Sequence, residues 1–318
     1  MNNSIPKISV LVITYRQEQL ISRALDSLIA QKDYIYEICV SDDCSPDNTW
    51  TVIQEYQDKY PYLFKLNRNE VNLGIFENIE KVWSMPTGDA VFFLSGDDEA
   101  GQDWFRHVID FIQQKKIDYK NELFCIYGDT KTLYPNGDSF IKCNRMVEKK
   151  PNDVLSMVIR EVVGSSGTCF SINVLKKYQK VSRGRSYAVE EVQDRLRQLN
   201  TDKAYYIPAI NAVYHAGIGV SKSMSRTEKE GRRDIFKFAY DYLSKTGKLK
   251  KKDGYYYLYK DAKLQYQYEK NLKRLVEVVY YRCKSLIIRY DYNYSKIKRI
   301  VFAIKRRLPH SKPIMMNI

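Results

Sequence analysis

Two adjacent carboxylates, Asp97 and Asp98, follow closely on a short apolar run at residues 91–94. An apolar run of this length, rich in aromatic and β-branched residues, predicts a buried strand. Open α/β sheets bind ligands at the carboxyl ends of their strands, so a ligand could reach both acids there. Paired carboxylates can hold a hard divalent cation, which can bridge the phosphates of a nucleotide. A surface turn whose acids cap the next helix is the alternative.

The N-terminal region predicts the elements that would position this acidic pair. Residues 8–15 form a second apolar run, and apolar residues at helical spacing follow it as far as residue 29. Residues 38–42 predict a further strand, which leads through a polar turn into another helix. Strands that alternate with helices predict a parallel sheet, because parallel neighbours need a long return connection. The first hundred residues therefore predict an α/β half-domain of the nucleotide-binding type.

Several short motifs occur in a fixed order along this half of the chain, namely Ser-Val-Leu-Val-Ile-Thr-Tyr at 9–15, Val-Ser-Asp-Asp-Cys-Ser-Pro-Asp-Asn-Thr at 40–49, Asn-Leu-Gly at 72–74, and Gly-Asp-Ala at 88–90 leading into Ser-Gly-Asp-Asp at 95–98. Together they resemble the family 2 glycosyltransferases, over roughly residues 6–225. The resemblance implies an α/β chain with the GT-A fold and a mostly parallel central sheet. It also implies transfer of a sugar from a nucleotide donor, usually a UDP-sugar, with inversion at the anomeric carbon and help from a divalent metal.

The resemblance places a nucleotide site at the strand ends. Tyr15 would stack on the uracil ring, because an aromatic face offers stacking area; a tyrosine at the rim is the alternative. Asp43, with Asp42 as the second choice, would accept a hydrogen bond from the uracil ring nitrogen. Both acids could instead cap the turn that follows. The other residues implied in this site are Thr14, Asn72, Gly74 and Asp97.

A metal site is implied beside the nucleotide. Asp98 resembles the family residue that binds the metal on the diphosphate, and Asp97 resembles the residue near the ribose. The expected ion is Mn²⁺ or Mg²⁺, which would neutralise the charge on the leaving UDP. His215 falls where some relatives place a histidine near the diphosphate or the metal, and a purely structural histidine is the alternative.

Inversion requires a base within hydrogen-bond reach of the acceptor hydroxyl. In the family this base is an acidic residue at the start of a helix, and residues 189–196 are the best match here. We assign the base to Glu191, with Glu190 and Asp194 as the neighbouring candidates. A run of charges at a solvated helix start is the alternative.

The chain departs from the family pattern at several positions. Ser95 stands where an additional aspartate is common, and Arg16 replaces an asparagine that often follows the stacking tyrosine. Ile13 replaces a proline, and residues 76–78 read Phe-Glu-Asn where Ala-Arg-Asn is common. These changes are compatible with a nucleotide site but leave the donor sugar open.

The domain organisation follows from the same patterns. Residues 1–225 are expected to form the catalytic domain, with a nucleotide-binding half at about 1–120 and an acceptor half at 121–225. In the acceptor half we predict a strand at 124–129, a hairpin turn at 134–138, a small-residue segment at 164–170, and short strands at 204–208 and 212–215. Residues 226–318 are predicted to form a helical, tyrosine-rich and basic extension.

Composition indicates a location. No stretch of eighteen apolar residues and no charged-then-apolar leader occurs in the 318 residues, so we expect a cytoplasmic protein. The six cysteines lack metal-ligand or disulfide spacing and are expected to be reduced thiols. The net charge of +14 is concentrated toward the C-terminus.

The basic tail suggests a partner. Residues 296–308 predict a basic amphipathic helix, a type that lies in the interface of an anionic membrane. Packing of its apolar face on the catalytic domain, or on a second copy in a homodimer, is the alternative.

Taken together, the sequence predicts an inverting, metal-dependent sugar transferase at the inner face of a cell membrane. Its partners would be a nucleotide-sugar and a saccharide acceptor, lipid-linked or free, in surface polysaccharide synthesis. A GT-A domain without turnover that serves as an assembly partner is one alternative, because of Ser95 and Arg16. A nucleic-acid binder is another, since basic and aromatic residues bind phosphates and bases, but no recognition motif is found and no nucleic acid is expected.

Overall fold

The alternation of apolar runs and amphipathic segments predicted for the first hundred residues is present in the computed structural model. The structure describes residues 5–145, 167–177, 203–218 and 237–287, the last range with gaps at 238–239, 242 and 248. The elements in chain order are β1 (Ile8–Thr14), α1 (Ile21–Ile29), a 3-10 helix (Lys32–Tyr34), β2 (Glu37–Asp42), α2 (Thr49–Lys59), β3 (Phe64–Arg68), α3 (Ile75–Trp83), β4 (Ala90–Ser95), β5 (Glu99–Ala100), α4 (Trp104–Gln114), β6 (Phe124–Leu133), β7 (Ser139–Lys142), β8 (Cys169–Ser171), α5 (Ile172–Lys177), β9 (Lys203–His215), α6 (Lys251–Tyr268) and α7 (Leu272–Ile287).

Strands β1 to β4 form the predicted parallel sheet, in the spatial order β3-β2-β1-β4. Every residue of β1 is buried, as expected for a central strand with both faces covered. Its side chains alternate between two cores. Val10 and Val12 pack with α1 and α4 on one face, and Leu11 and Ile13 pack with α3 on the other. The continuous apolar run in the sequence is therefore explained by helices on both faces.

The second half of the sheet is mixed. β8 is antiparallel to β4 and β6, β9 is parallel to β6, and β5 is antiparallel to β9. The predicted hairpin turn at 134–138 connects β6 to the antiparallel β7, so that expectation is confirmed. The sheet as a whole thus keeps the parallel order of a nucleotide-binding half and adds antiparallel strands on one side.

One expectation for this half is wrong. The sequence predicts two short strands at 204–208 and 212–215, but the structure has one continuous strand, β9. The pairing of β9 with β6 shifts register between Tyr127 and Asp129, opposite the stretch that contains Pro208. Such an irregularity accommodates a residue without an N–H, so the proline does not end the strand.

Helices α6 and α7 pack against each other in the C-terminal region. Tyr240 stacks on Tyr257 of α6 with ring centroids 4.5 Å apart, and the Arg282 guanidinium of α7 lies 4.9 Å from the ring centroid of Tyr259. None of the helices in the described ranges combines the length and apolar character that a membrane crossing requires. None of the six cysteines, which all lie in the described ranges, forms a disulfide. The boundary near residue 225 lies outside the described residues and stays a prediction.

Candidate active site

The carboxyl ends of β1, β2 and β4 lie side by side and bring the predicted nucleotide residues to one edge of the sheet. Thr14 is the register partner of Asp42. The Asp43 N–H donates to the Thr14 carbonyl oxygen at 3.0 Å, and the Gly96 N–H donates to the Ile13 carbonyl oxygen at 3.0 Å. Backbone hydrogen bonds therefore continue past the strand ends and fix the turns that carry the acids.

Asp42 is fully buried and bonded within its own turn. Its carboxylate accepts hydrogen bonds from the Ser45 hydroxyl at 2.5 Å and the Ser45 N–H at 3.0 Å. Arg68 Nε lies 3.4 Å from its second oxygen. Burial raises the pKa of Asp42, and the Ser45 hydrogen bonds oppose that rise. These contacts support the interpretation that Asp42 stabilises the turn.

Asp43 holds the loop at residues 72–74 against the end of β2 through hydrogen bonds. One carboxylate oxygen accepts from the Leu73 N–H and from Asn69 Nδ2, and the other accepts from the Gly74 N–H, all at 2.8 Å. Gly74 has a φ of 86°, in the left-handed region that favours glycine, and it caps the start of α3. Asn72, the other predicted residue of this loop, is exposed. Asp43 therefore sets the position of the 72–74 loop.

A buried polar network beneath that loop was not predicted. The Asn78 side chain accepts from the Ser41 hydroxyl at 2.6 Å and from Asn69 Nδ2 at 3.1 Å, and it donates to the Ser41 carbonyl oxygen at 3.0 Å. Asn67 Nδ2 donates to the Ser41 hydroxyl and to Asn69. The network joins β2, β3 and α3. The match of Asn78 to the asparagine of the family's Ala-Arg-Asn run was the one sequence signal for it.

Tyr15 is partly exposed where β1 ends, with 38% of its surface accessible. The Arg16 guanidinium lies 5.3 Å from its ring centroid, a cation–π contact. Arg16 itself has a φ of 54°, and its N–H donates to the Ser45 hydroxyl at 3.0 Å. The replacement of asparagine by Arg16 thus puts a cation beside the exposed ring that was predicted to stack on a base.

The turn after β4 approaches α1 very closely. A Cβ at Gly96 would lie 2.2 Å from Gln17 Oε1, 2.9 Å from Ile21 Cδ1 and 3.1 Å from the Ile13 carbonyl oxygen, so a larger residue there would displace the Gln17 and Ile21 side chains. Gln17 Oε1 also accepts a hydrogen bond from the Thr14 hydroxyl at 2.7 Å. This close contact fixes the position of the turn that carries Asp97 and Asp98. Gln17 was not among the predicted site residues.

Asp98 is a nearly inaccessible carboxylate that connects the two halves of the sheet. Only 5% of the residue is exposed, and Oδ1 accepts a hydrogen bond from the His215 N–H at 3.2 Å. Burial, together with the neighbouring charge of Asp97, raises the pKa of Asp98 to about 7. Burial also raises the pKa of Asp97, whose carbonyl oxygen accepts from the Arg23 guanidinium at 2.6 Å. The ionised form is therefore disfavoured at both acids, and a bound cation would stabilise it.

His215 is held by a carboxylate that the sequence analysis did not single out. Its Nε2 lies 2.5 Å from Glu99 Oε1, and Arg23 Nε lies 3.6 Å from the same oxygen. The short strand β5 pairs Glu99 with Val213 of β9, which brings His215 next to Asp98. The predicted proximity of Asp98 and His215 is therefore real, and its cause is a pairing between strands more than a hundred residues apart in sequence.

We tested whether these residues fit a divalent metal. No group of three or more His, Cys, Asp or Glu side chains in the described part of the chain is arranged to hold a metal ion. The half-buried Asp97 and the buried Asp98 are nevertheless adjacent acids, whose charged forms a cation would stabilise. Mg²⁺ is commonly bound by one or two carboxylates together with substrate phosphates. The acidic pair fits that mode, in which the nucleotide completes the coordination.

Some predicted positions lie outside the described residues. These are the base candidates Glu190, Glu191 and Asp194, and the first part of the small-residue segment, residues 164–166. Gly167 at its end is described, and its carbonyl oxygen accepts a hydrogen bond from Asn211 Nδ2 at 3.0 Å. The assignment of the base therefore stays a prediction.

Comparison with known proteins connects this site to a family. Residues 9–159 match the family model described as glycosyl transferase family 2. An uncharacterized protein of Mycobacterium tuberculosis is 30% identical over 131 residues, which are 41% of this chain and 37% of that protein. The abequosyltransferase RfbV of Salmonella typhimurium is 31% identical over 98 residues, which are 30% of this chain and 29% of that protein. The chain thus matches only about a third of the length of these curated relatives.

The likeness to solved structures extends over more of the chain. The crystal structure of S. aureus TarS 1-349 in complex with UDP-GlcNAc has a TM-score of 0.57 to this chain, covers 88% of each chain and is 16% identical in sequence. At that identity the likeness shows the fold alone. The chain has the GT-A fold that its sequence predicts.

Proposed function

Residues 9–159 belong to glycosyl transferase family 2, and from this membership we propose that the chain transfers a sugar from a nucleotide donor to a saccharide acceptor, with inversion at the anomeric carbon. The observation that carries the proposal is the pair formed by the buried Asp98 and the half-buried Asp97 at the carboxyl edge of the parallel strands. A buried carboxylate with a second acid beside it costs stability unless a bound partner compensates the charge. The presence of this pair is therefore better explained by a role in ligand binding than by a role in stabilising the fold.

The donor we propose is a UDP-sugar. Two features support it. Tyr15 offers an exposed ring at the edge where the base would lie, and Asp43 holds the 72–74 loop in place beside that edge. The solved structure with the same fold contains UDP-GlcNAc, which is consistent with this donor class. The sugar itself is not assigned.

Asp98 and Asp97 are the residues that would hold Mn²⁺ or Mg²⁺. When bound, such an ion supplies Lewis-acid stabilisation of the diphosphate leaving group. The chain positions the two acids with contacts of its own. The His215 N–H orients the Asp98 carboxylate, and the Arg23 guanidinium fixes the Asp97 carbonyl, so the turn needs little rearrangement to bind. Glu99 holds the His215 ring from the side of β5.

The remaining parts of the proposal concern the acceptor and the location. Glu191, with Glu190 and Asp194 as neighbouring candidates, would remove the proton from the acceptor hydroxyl. The acceptor would be a lipid-linked saccharide used in surface polysaccharide synthesis. The enzyme would be a peripheral protein at the cytoplasmic face of the membrane, bound through its basic C-terminal segment, and a homodimer is compatible with the sequence. The basic composition of residues 281–318 supports this location.

Release of UDP from a panel of UDP-sugars, with Mn²⁺ or Mg²⁺ present, tests the proposed function without knowledge of the acceptor. We expect metal-dependent release by the wild-type chain and a loss of at least about a hundredfold in Asp98→Asn. Asp33→Asn is the matched control, because Asp33 is an exposed acid in the 3-10 helix far from β4 in sequence. Equal rates in the wild type and Asp98→Asn would contradict the assignment. Binding of UDP without any turnover would instead favour a non-catalytic assembly partner.

A further inference from the structure

Helix α7 carries an apolar stripe that is open to solvent. The stripe comprises Leu272, Leu275, Val276, Val279 and Tyr280, which are 75%, 39%, 57%, 55% and 51% exposed. Their spacing of three or four residues places them on one side of the helix. Cys283, also exposed, continues the same side for one more turn. A contiguous exposed apolar surface of this kind is typical of an interaction site.

The opposite side of α7 is the side that packs on α6. Ser285 is fully buried, and the Arg282 guanidinium lies over the ring of Tyr259 on α6. Arg274 pairs with Glu269 and Glu277 near the start of the helix. The helix thus uses a largely polar side for its contact within the chain and leaves its apolar side outside. This arrangement is the reverse of an ordinary surface helix, whose apolar side faces the core.

Positive charge borders the stripe. Lys273 is exposed beside Leu272, and Lys284 Nζ lies 5.7 Å from the ring centroid of Tyr280. Residues 288–318, which follow α7 directly, contain eight lysines and arginines and a single acid, Asp291. A bilayer with acidic headgroups has an apolar interior and an anionic surface. The apolar stripe matches the interior, and the lysines and the basic segment match the anionic surface.

We propose that the outward side of α7 is the membrane-contacting surface of this protein, with the apolar stripe inserted between the headgroups of an anionic bilayer and the flanking lysines on the phosphates. The inference rests on the membrane location contained in the proposed function, but not on its chemistry. It places the apolar contact with the bilayer on α7, a helix that the structure describes.

A second copy of the chain fits this stripe less well. In a two-stranded coiled coil, Val276, Val279 and Cys283 would fill the central seam. The flanking positions would then be Lys273, Leu275 and Tyr280, together with Arg282, whose guanidinium already lies over Tyr259. None of them is an acid that could pair with the basic residues of the partner helix. A seam of two heptads is also short for a stable coiled coil. An anionic surface satisfies the flanking charges that a second copy would leave unpaired.

Cosedimentation of the full chain with lipid vesicles tests the inference. The vesicles are phosphatidylcholine alone or phosphatidylcholine with phosphatidylglycerol. We expect the wild type to bind only the anionic vesicles, and Val276→Asn/Val279→Asn to bind them at least about tenfold more weakly. Valine and asparagine have similar helix propensities and both sites are exposed, so the helix is retained. The matched control is Ile5→Asn/Tyr62→Asn, which removes exposed apolar side chains elsewhere and is expected to bind like the wild type.

A second variant pair separates the charge from the apolar contact. Lys273→Gln/Lys284→Gln is expected to weaken binding and to reduce its dependence on salt. UDP release in solution is expected to stay unchanged in all these variants, so failure of the surface can be distinguished from failure of the proposed function.

Three results would overturn the inference. One is equal vesicle binding by Val276→Asn/Val279→Asn and the wild type. Another is a wild-type dimer in sedimentation velocity that these substitutions dissociate, which would assign the stripe to a second copy. The last is binding to poly(U) that exceeds vesicle binding and is lost in the same variant, which would assign the stripe to a nucleic acid.

Discussion

The Asp43 carboxylate accepts a 2.8 Å hydrogen bond from the backbone N–H of Gly74 and so ties the end of β2 to the start of α3. The bond joins residues 31 positions apart in the chain. Because N–H groups at a helix start have no partner within the helix, a buried carboxylate placed there is stabilised by them. Asp43 therefore shapes the nucleotide edge in addition to any contact with a base.

Substitution of Asp43 separates these two roles. In Asp43→Asn an amide NH₂ would face one of the backbone or side-chain donors, so we expect a loss of about 1–3 kcal/mol in the free energy of unfolding in urea. If Asp43 acts mainly through the loop, binding of UDP and of CDP should weaken by the same factor. Asp33→Asn, at an exposed acid, should change stability by less than about 0.5 kcal/mol. Unchanged stability with a selective loss of preference for uracil would show that Asp43 acts only through the base.

The conformation of Gly74 is expected to matter for binding as well as for stability. Its φ is 86° and its ψ is 160°, and a Cβ there would meet no atom within 4 Å, so Gly74→Ala should cost only backbone strain, about 1–3 kcal/mol. Gly137 in the β6–β7 turn has nearly the same φ, 84°, and the same open surroundings, which makes Gly137→Ala a matched control. We expect similar losses of stability in both variants, but weaker UDP binding only in Gly74→Ala. Equal UDP binding by both would show that the 72–74 loop does not contact the nucleotide.

Glu37, at the amino ends of the strands, gives a pH dependence of stability. Burial alone would raise its pKa, but hydrogen bonds from Lys65, Ser9 and Thr87 outweigh burial and hold the pKa below its ordinary value of 4.5. A carboxylate with a lowered pKa in the folded state stabilises the protein above the unfolded-state pKa, and this contribution is lost as pH falls through the folded-state value.

Glu37→Gln should therefore be less stable than the wild type by about 1–2 kcal/mol at pH 7. The difference should shrink below pH 4.5, because the wild type then loses its advantage. Glu55→Gln, at an exposed position on α2, should match the wild type at all pH values. Chemical unfolding at a series of pH values measures both effects. A difference that grows as pH falls would contradict the assigned direction of the shift.

The base assignment makes a kinetic prediction. Glu191→Gln should lower the rate of transfer by at least about a hundredfold, while UDP binding stays within about twofold of the wild type. Glu190→Gln and Asp194→Asn are the neighbouring controls, which should retain most of the rate. A large loss confined to one of these two variants would move the base to that residue.

The parallel half of the fold was predictable because its signals are local. The run at 8–15 is apolar on both faces, and the structure shows that both faces of β1 are covered. The acids after β2 and β4 follow directly on their strands, so the order of elements alone places them at one edge. Local patterns were therefore sufficient to predict the position of a residue that directly follows a strand.

The contacts of the site were less predictable because they join distant parts of the chain. Glu99 reaches His215 through the pairing of β5 with β9, and a two-residue strand carries no recognisable period in the sequence. Asn69, which follows β3, donates a hydrogen bond to Asp43, which follows the neighbouring strand β2. The presence of an asparagine in the sequence does not tell a buried network from a surface turn. The strand predicted at 204–208 continues to His215, because the register shift opposite Pro208 depends on the partner strand β6.

Calorimetric titration of the chain with UDP, with and without Mn²⁺, tests the central claim most directly, with CDP and GDP as controls and Asp98→Asn as the matched variant. The account predicts UDP binding that Mn²⁺ strengthens, binding of CDP and GDP at least about tenfold weaker, and loss of the Mn²⁺ effect in Asp98→Asn. Absence of UDP binding under every condition, or a Mn²⁺ effect that persists in Asp98→Asn, would contradict a UDP-sugar site built on Asp97 and Asp98.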